Sequence, residues 1–198
     1  MPRKWETMSQ ITYARLDESH FHAHSLDDFY RHQDVTECWR LIQGEWRLIP
    51  YAFVEAWTVQ ECRDIAADII QHRNRDQSGF GAFDGERVVG FATVAHALFG
   101  QTARYADLVY FYVSEEYRRR GIGRVLFGMA CEEARRLGAQ KLYISAHSSK
   151  ESQVAYRSLG CVHAREINAR LAALEPCDVQ LEYALEGDGG NQREETRI

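Results

Sequence analysis

Four arginines, Arg118, Arg119, Arg120 and Arg124, crowd around Gly121 and Gly123 in the stretch YRRRGIGR. Such a group suits a phosphate or pyrophosphate: the glycines let the ligand approach the backbone, and the guanidinium groups add charge and paired donors. The chain as a whole carries a net charge of -5. The cluster is therefore local rather than part of a basic surface, which counts against a nucleic-acid partner. No Gly-Lys-Ser/Thr follows the turn, so the metal-binding hydroxyl of a nucleotide triphosphatase loop is missing, and Leu126 stands where a dinucleotide fold wants glycine.

The flanking elements fit an anion site. Residues 108–113, LVYFYV, are an unbroken apolar and aromatic run and predict a strand buried on both faces. Ser114, Glu115 and Glu116 end it. Beyond Gly121, Ile122, Val125, Leu126, Met129, Ala130, Ala134 and Leu137 recur at helical spacing until Gly138 closes the helix. Strand, glycine turn and helix in that order leave free backbone N–H groups at a helix N-terminus, where the peptide dipoles favour an anion. Downstream, Ser148-Ser149-Lys150-Glu151 predicts a capping box that opens a second helix carrying Tyr156 and Leu159 and closed by Gly160.

Arg118, Gly121 and Gly123, spaced Arg-x-x-Gly-x-Gly after a buried strand, resemble the acyl-CoA-binding signature of the GNAT superfamily of N-acetyltransferases. Tyr156, four residues before Gly160, matches a second feature of that superfamily, and the resemblance covers residues 80–184. It implies an α/β (α+β) fold with a single mixed, mostly antiparallel sheet and helices on both faces. It implies acetyl-CoA as co-substrate and an amine as acceptor. The pantetheine arm would pair like an added strand with Phe111, Tyr112 and Val113. The turn from Arg118 through Arg119, Arg120, Gly121, Ile122 and Gly123 to Arg124 would take the pyrophosphate, and Ser149 and Ser152 share a helical face with Tyr156.

The resemblance also suggests roles. An amine of pKa about 10.4 is protonated near neutrality and must lose a proton before it attacks. Asp107 opens the central strand, where some superfamily members carry a glutamate base; the bland alternative is a strand-end aspartate bonded to nearby backbone. Glu182 is a weaker rival. Tyr156 is the candidate acid for the departing thiolate. The sequence departs from the family pattern at Arg119, commonly glycine, at Ser149, often asparagine, and at Cys161, usually aromatic.

The remaining chain supplies the scaffold. At 198 residues and 45% apolar content it suits one well-buried domain, read as residues 11–185 between a disordered leader, 1–10, and a disordered tail, 186–198. The order of elements argues for one mixed sheet. A strand at 11–15 precedes His20, His22 and His24, whose alternation reads as a solvated loop rather than a metal site. Ser25 with Asp27 and Asp28 predicts a short helix, and residues 37–51 a hairpin turning at Gln43-Gly44. Residues 25–57 form an N-terminal elaboration in which Trp39, Trp46, Phe53 and Trp57 either line an acceptor pocket or simply pack. Thr58 and Glu61 form a capping box for a helix over 58–71, and residues 80–83 and 87–95 a hairpin across Asp84-Gly85. Further strands are expected at 141–145, 162–167 and 179–185.

The five cysteines are scattered without a Cys-x-x-Cys pair and read as reduced buried thiols. No apolar run approaches membrane length and no secretory segment is visible, so the expectation is a soluble, cytoplasmic protein without a membrane partner or a bound metal; a homodimer stays open. Asp27, Asp28, Glu37 and Glu55 in the elaboration fit a small cationic amine as acceptor. A protein or peptide acceptor, and a non-catalytic acyl-CoA-binding module, are the competing readings.

Overall fold

The computed structural model describes residues 10–185. The expected tail, 186–198, and all but Gln10 of the expected leader lie outside the described residues. Nine strands and four α-helices follow in chain order. β1 (Thr12–Arg15) leads to a hairpin of β2 (His32–Ile42) and β3 (Glu45–Ala56), then α1 (Val59–His72). β4 (Gln77–Asp84), β5 (Arg87–Ala95) and β6 (Tyr105–Val113) form a meander, followed by α2 (Ile122–Arg136) and β7 (Lys141–Ala146). α3 (Lys150–Ser158), β8 (Val162–His163), α4 (Ala169–Leu174) and β9 (Val179–Ala184) complete the fold.

Seven strands build one sheet in the order β1-β4-β5-β6-β7-β9-β8, while β2 and β3 pair only with each other. Every pairing in the main sheet is antiparallel except that of β6 with β7. The residues of β5 divide between two cores, with the alternation of a strand shifted by one at a bulge where Val89 has no opposite number on β4. Val89 and Ala92 join Leu126, Ala130 and Ala134 of α2 on one face. Val88 and Phe91 join Cys62, Ala66 and Ile69 of α1 on the other. Helices thus cover both faces, as the sequence implied.

Several expectations need correction. β6 is not buried on both faces: Leu108 is buried, but residues 109–113 are only partly covered because that half lines a cleft. Val125 is 43% exposed, and Phe127 takes its place in the core of α2. Ser25 starts no helix; its hydroxyl accepts from the His22 N–H upstream, and Asp27 is held by Arg63, so neither side chain caps a following turn. The second hairpin turns on Gly85-Glu86, since Asp84 still pairs with Arg87. Strand 162–167 shortens to two residues. The sequence reading omitted α4, although Asn168 caps it by accepting from the Arg170 and Leu171 N–H groups. The capping box at Thr58 is present, with Thr58 and Glu61 bonded reciprocally.

A parallel pair at the centre of the sheet is what creates the site. β6 and β7 are paired only across Tyr105–Lys141, Ala106–Leu142 and Asp107–Tyr143. That end is clamped: buried Glu182 of β9 accepts from the Tyr105 hydroxyl at 2.7 Å, the Lys141 ammonium at 2.7 Å and the Arg165 N–H at 3.1 Å. Beyond Asp107 the two strands part. Val109 is an extra residue against β5, because Thr93 pairs with Tyr110 and Val94 with Leu108. Such a bulge bends a strand and increases its local twist.

Candidate active site

The parting of β6 from β7 opens a cleft of about 1280 Å³ whose lining includes Asp107, Phe111, Tyr112, Val113, Arg118, Arg119, Gly121, Gly123, Arg124 and Tyr156. Thirteen side-chain positions were singled out from the sequence, and these ten are brought together. Three are not. The Ile122 side chain is 2% exposed and packs into the core. Arg120 lies over the Tyr117 ring, 4.9 Å from its centroid. Ser149 is fully buried and is the true N-cap of α3, accepting from the Ser152 N–H at 3.3 Å. The expected capping box does not form and the cap moves on by one residue: the Ser148 hydroxyl is occupied by Arg40 and Glu151 by Gln33.

One end of the cleft is an anion cradle built from backbone. Gly121 has φ +83° and is the N-cap of α2, a left-handed conformation that glycine adopts without steric cost. The first backbone bond closing the helix runs from the Val125 N–H to the Gly121 carbonyl. The N–H groups of residues 119–124 have no hydrogen-bond partner among the described residues, the arrangement that favours anions at helix N-termini. A Cβ built on Gly123 would meet only ordinary contacts, Phe111 at 3.6 Å and Val113 at 3.7 Å. Protein packing therefore does not demand glycine there. Arg118 donates to the Val113 carbonyl at 3.2 Å, which ties the turn to the strand end. Its partial burial lowers its pKa from the usual guanidinium value.

Arg119, where the family commonly has glycine, has φ +61°. A side chain in this region costs about 1–2 kcal/mol. Arg119→Gly is therefore expected to stabilise the unliganded protein by about 0.5–1 kcal/mol, the gain partly offset by the greater freedom of glycine in the unfolded chain. Urea unfolding checks this, and a loss of stability would contradict it.

The cleft also carries acids: Asp107, Glu55, Glu175 and Asp178 line it, as do Glu115 and Glu151. Burial pushes the Asp107 carboxyl up to about 6, opposed by the charge of Arg170. Burial, reinforced by the neighbouring charge of Glu175, pushes Asp178 up to about 7, although Ser145 is within 3.5 Å. Sequence reasoning missed Asp178. The signal available was an acid immediately before a strand, which is common, and only the pairing of β7 with β9 brings it beside Ser145. Glu182, the rival base, sits in the clamp described above and does not line the cleft. Burial would raise its pKa, but the Lys141 and Tyr105 hydrogen bonds bring it below the ordinary carboxylate value.

Tyr156 also lines the cleft. Its ring lies 5.8 Å from that of Phe111, and its hydroxyl has no hydrogen-bond partner among the described residues. Burial raises its pKa strongly, with smaller contributions from the nearby Tyr112 and Asp178. It stays protonated across the physiological range and is able to donate. His147 also lines the cleft, but its Nδ1 accepts from the Ser149 N–H at 3.2 Å, so its Nε2 carries the proton toward Glu55, and burial lowers its pKa. A ring fixed in this tautomer is a donor, not a base.

The four aromatic residues of the elaboration are not among the residues lining the cleft. Trp46 stacks on His163, Trp39 lies under Arg157, Phe53 meets His147 edge-on, and Trp57 packs against the Tyr112 ring with centroids 4.6 Å apart. Of the acids named in this region, Glu55 alone is among the cleft-lining residues; it is bonded to Arg31 at 2.5 Å. Asp27 is paired with Arg63 and Glu37 with Lys150. A smaller pocket of about 340 Å³, near Asp28 and Trp57, contains none of the cradle residues.

The site is thus a sheet split along its parallel pair, with a glycine-capped helix beside the split. The comparisons agree: the Acetyltransferase (GNAT) family matches residues 32–161, and the chain belongs to that family. It is an acetyl-CoA-dependent N-acetyltransferase. Among solved structures, the chain is similar to nourseothricin acetyltransferase, at 17% identity and TM-score 0.66, over 89% of this chain and 99% of that one. It is also similar to a provisionally assigned streptothricin acetyltransferase from Bacillus anthracis str. Ames in complex with acetyl coenzyme A, at 15% identity and TM-score 0.62, over 90% and 99%. A third similar structure is the ribosomal-protein-S18-alanine N-acetyltransferase from Escherichia coli, at 15% identity and TM-score 0.53, over 92% and 98%. No curated protein sequence matches the chain. Among the described residues no helix is long and apolar enough to cross a membrane, and no group of side chains is placed to hold a metal ion.

Proposed function

We propose that the protein moves the acetyl group of acetyl-CoA to a primary amine of a small cationic molecule, by direct attack while both substrates are bound. The observation that carries this reading is that the cleft is lined both by Arg118, Arg119 and Arg124 beside free N–H groups and by Asp107, Glu55, Glu175 and Asp178. A pyrophosphate is drawn to the first set and an ammonium to the second, with the thioester between them.

In this reading the N–H groups of residues 119–124 and the side chains of Arg118, Arg119 and Arg124 hold the pyrophosphate. The open edge of β6 at Phe111, Tyr112 and Val113 pairs with the pantetheine amides. Arg120 takes no direct part, Ile122 contributes only its N–H, and Ser149 acts by fixing the start of the helix that carries Tyr156. Tyr156 gives a proton to the departing thiolate. A carboxylate of the acidic end takes the proton of the amine, and Asp107 and Asp178 are both placed in the cleft for it.

The test is thiol release from acetyl-CoA by the purified protein with spermidine, streptothricin, nourseothricin, free amino acids and lysine-containing peptides, each against an amine-free control. Release driven by the small cations is expected. Release driven by the peptides alone would replace the small-molecule acceptor with a protein one.

A further inference from the structure

We infer that Asp178 is the group that receives the proton of the attacking amine, and that Arg31 holds an oxygen of the same acceptor beside it. The inference rests on the proposed acetyl transfer to a small amine and deepens it.

Two carboxylates line the acidic end, and their surroundings separate them. Asp107 lies where β6 and β7 are still paired, at the closed end of the split. Asp178 lies across the split, where β9 continues the wall made by β7 past the last residue paired with β6, beside Ser145. Its charge reaches both the Tyr156 and the Tyr112 hydroxyls. A base must lie near the nitrogen as that nitrogen reaches the thioester carbon, and the acid near the sulfur bonded to that carbon. Asp178 lies along the open part of the split, in the cleft that Tyr156 also lines, and Asp107 lies at its paired end.

The groups that face Asp178 are Ser145 on β7, Glu55 and Arg40 on the hairpin, Glu175 just after α4, and Tyr112 and Tyr156. Asp178, Glu55 and Glu175 stand here against Arg40 and Arg31, and with Arg31 paired to Glu55 the balance favours a cation in this corner. A second feature asks for a ligand independently. Arg31 is 5% exposed and lines the cleft; its Nη2 is bonded to Glu55, but its Nη1 is buried with no partner. A buried guanidinium N–H normally finds an acceptor, and an oxygen carried by the substrate supplies one. The pairing with Glu55 neutralises Arg31, so a neutral oxygen, an amide carbonyl or hydroxyl, fits better than a carboxylate.

The steps balance. The amine enters as R–NH3+ and gives one proton to Asp178. Its lone pair forms the N–C bond at the thioester carbonyl. The C–S bond breaks with its electron pair on sulfur, which takes the Tyr156 proton, and the second nitrogen proton restores Tyr156. Asp178 releases its proton to solvent, leaving an N-acetyl amide, free CoA thiol and one proton.

The experiment follows kcat/KM against pH for the best acceptor, in wild type, Asp178→Asn and Asp107→Asn. Calorimetry of acetyl-CoA binding confirms that each variant is folded. Asp178 is ionised above pH 7, so wild-type kcat/KM is expected to rise through a limb near pH 7. Asp178→Asn should lower kcat/KM about 10²–10³-fold and abolish that limb, while Asp107→Asn keeps it. A limb that survives in Asp178→Asn, or is lost in Asp107→Asn, overturns the assignment. Amines that carry a carbonyl or hydroxyl near the reacting nitrogen should outpace plain alkyl polyamines, and Arg31→Met should erase the difference; plain polyamines leading the panel overturns the role of Arg31. If no amine drives thiol release, the small-amine reading itself fails. Asp178 is then judged by spermidine binding to the CoA complex, about tenfold weaker in Asp178→Asn if it holds the ammonium, and equal if it does not.

Discussion

Tyr156→Phe is expected to lower kcat about a hundredfold while leaving the Kd of acetyl-CoA within about twofold of wild type. The substitution removes one oxygen from a ring that packs on Phe111 and whose hydroxyl has no partner among the described residues, so packing is preserved and no protein bond is lost. What is lost is a proton donor, and general-acid catalysis by a positioned side chain contributes about 10²-fold or more. A thiolate departs fairly well unaided, which sets the expectation at the low end of that range. Because the role exists only as the C–S bond breaks, kcat and kcat/KM should fall together. The sign of the pH effect follows from the raised pKa: the acid form persists through neutrality, so Tyr156 produces no falling limb below about pH 10. Steady-state kinetics with calorimetric binding decide it. Turnover unchanged in Tyr156→Phe would remove the residue from the mechanism.

Gly123→Leu should abolish tight acetyl-CoA binding, raising Kd about a hundredfold or more, while the unliganded protein stays as stable as wild type or gains slightly. A Cβ at this position meets the protein at ordinary contact distance, and leucine is a better helix former than glycine. The larger side chain occupies the space through which a phosphate reaches the free N–H groups. Two lost charge-assisted bonds at about 1.5 kcal/mol each amount to about two orders of magnitude in affinity. Isothermal titration with acetyl-CoA beside urea unfolding separates the two effects. Equal weakening of binding and folding would mean that Gly123 is needed by the fold rather than by the ligand. Gly121 offers no such separation, because its φ of +83° strains any L side chain before a ligand is considered.

The anion cradle was legible in the sequence because its parts are contiguous. Strand, turn and helix follow one another directly from Asp107 to Arg136, and local spacing sets Gly121 at the helix start. The two interior-facing errors there have one cause. Periodicity marks which residues are apolar, not what lies opposite them, so Val125 was placed inward and the far half of β6 was taken as buried when the missing neighbour is the cleft itself. Asp27 illustrates a different failure. Two acids after a serine suggest a helix start, but Arg63, 36 residues away, holds Asp27 by two hydrogen bonds at 2.9 and 2.8 Å, and a tertiary ion pair displaced the local cap.

By itself the sequence determined the family, the acyl donor and the position of the glycine turn that opens α2, because each depends on residues close together along the chain. Tertiary structure alone decided how the acidic end is composed. Glu55 comes from the hairpin, Asp107 from β6, and Glu175 and Asp178 from the stretch between α4 and β9. Carboxylates on three separate segments line one cleft, which opens where β6 parts from β7 while β9 stays paired with β7. That burial, invisible in sequence, holds Asp178 near pH 7 and leaves the Arg31 Nη1 without a partner.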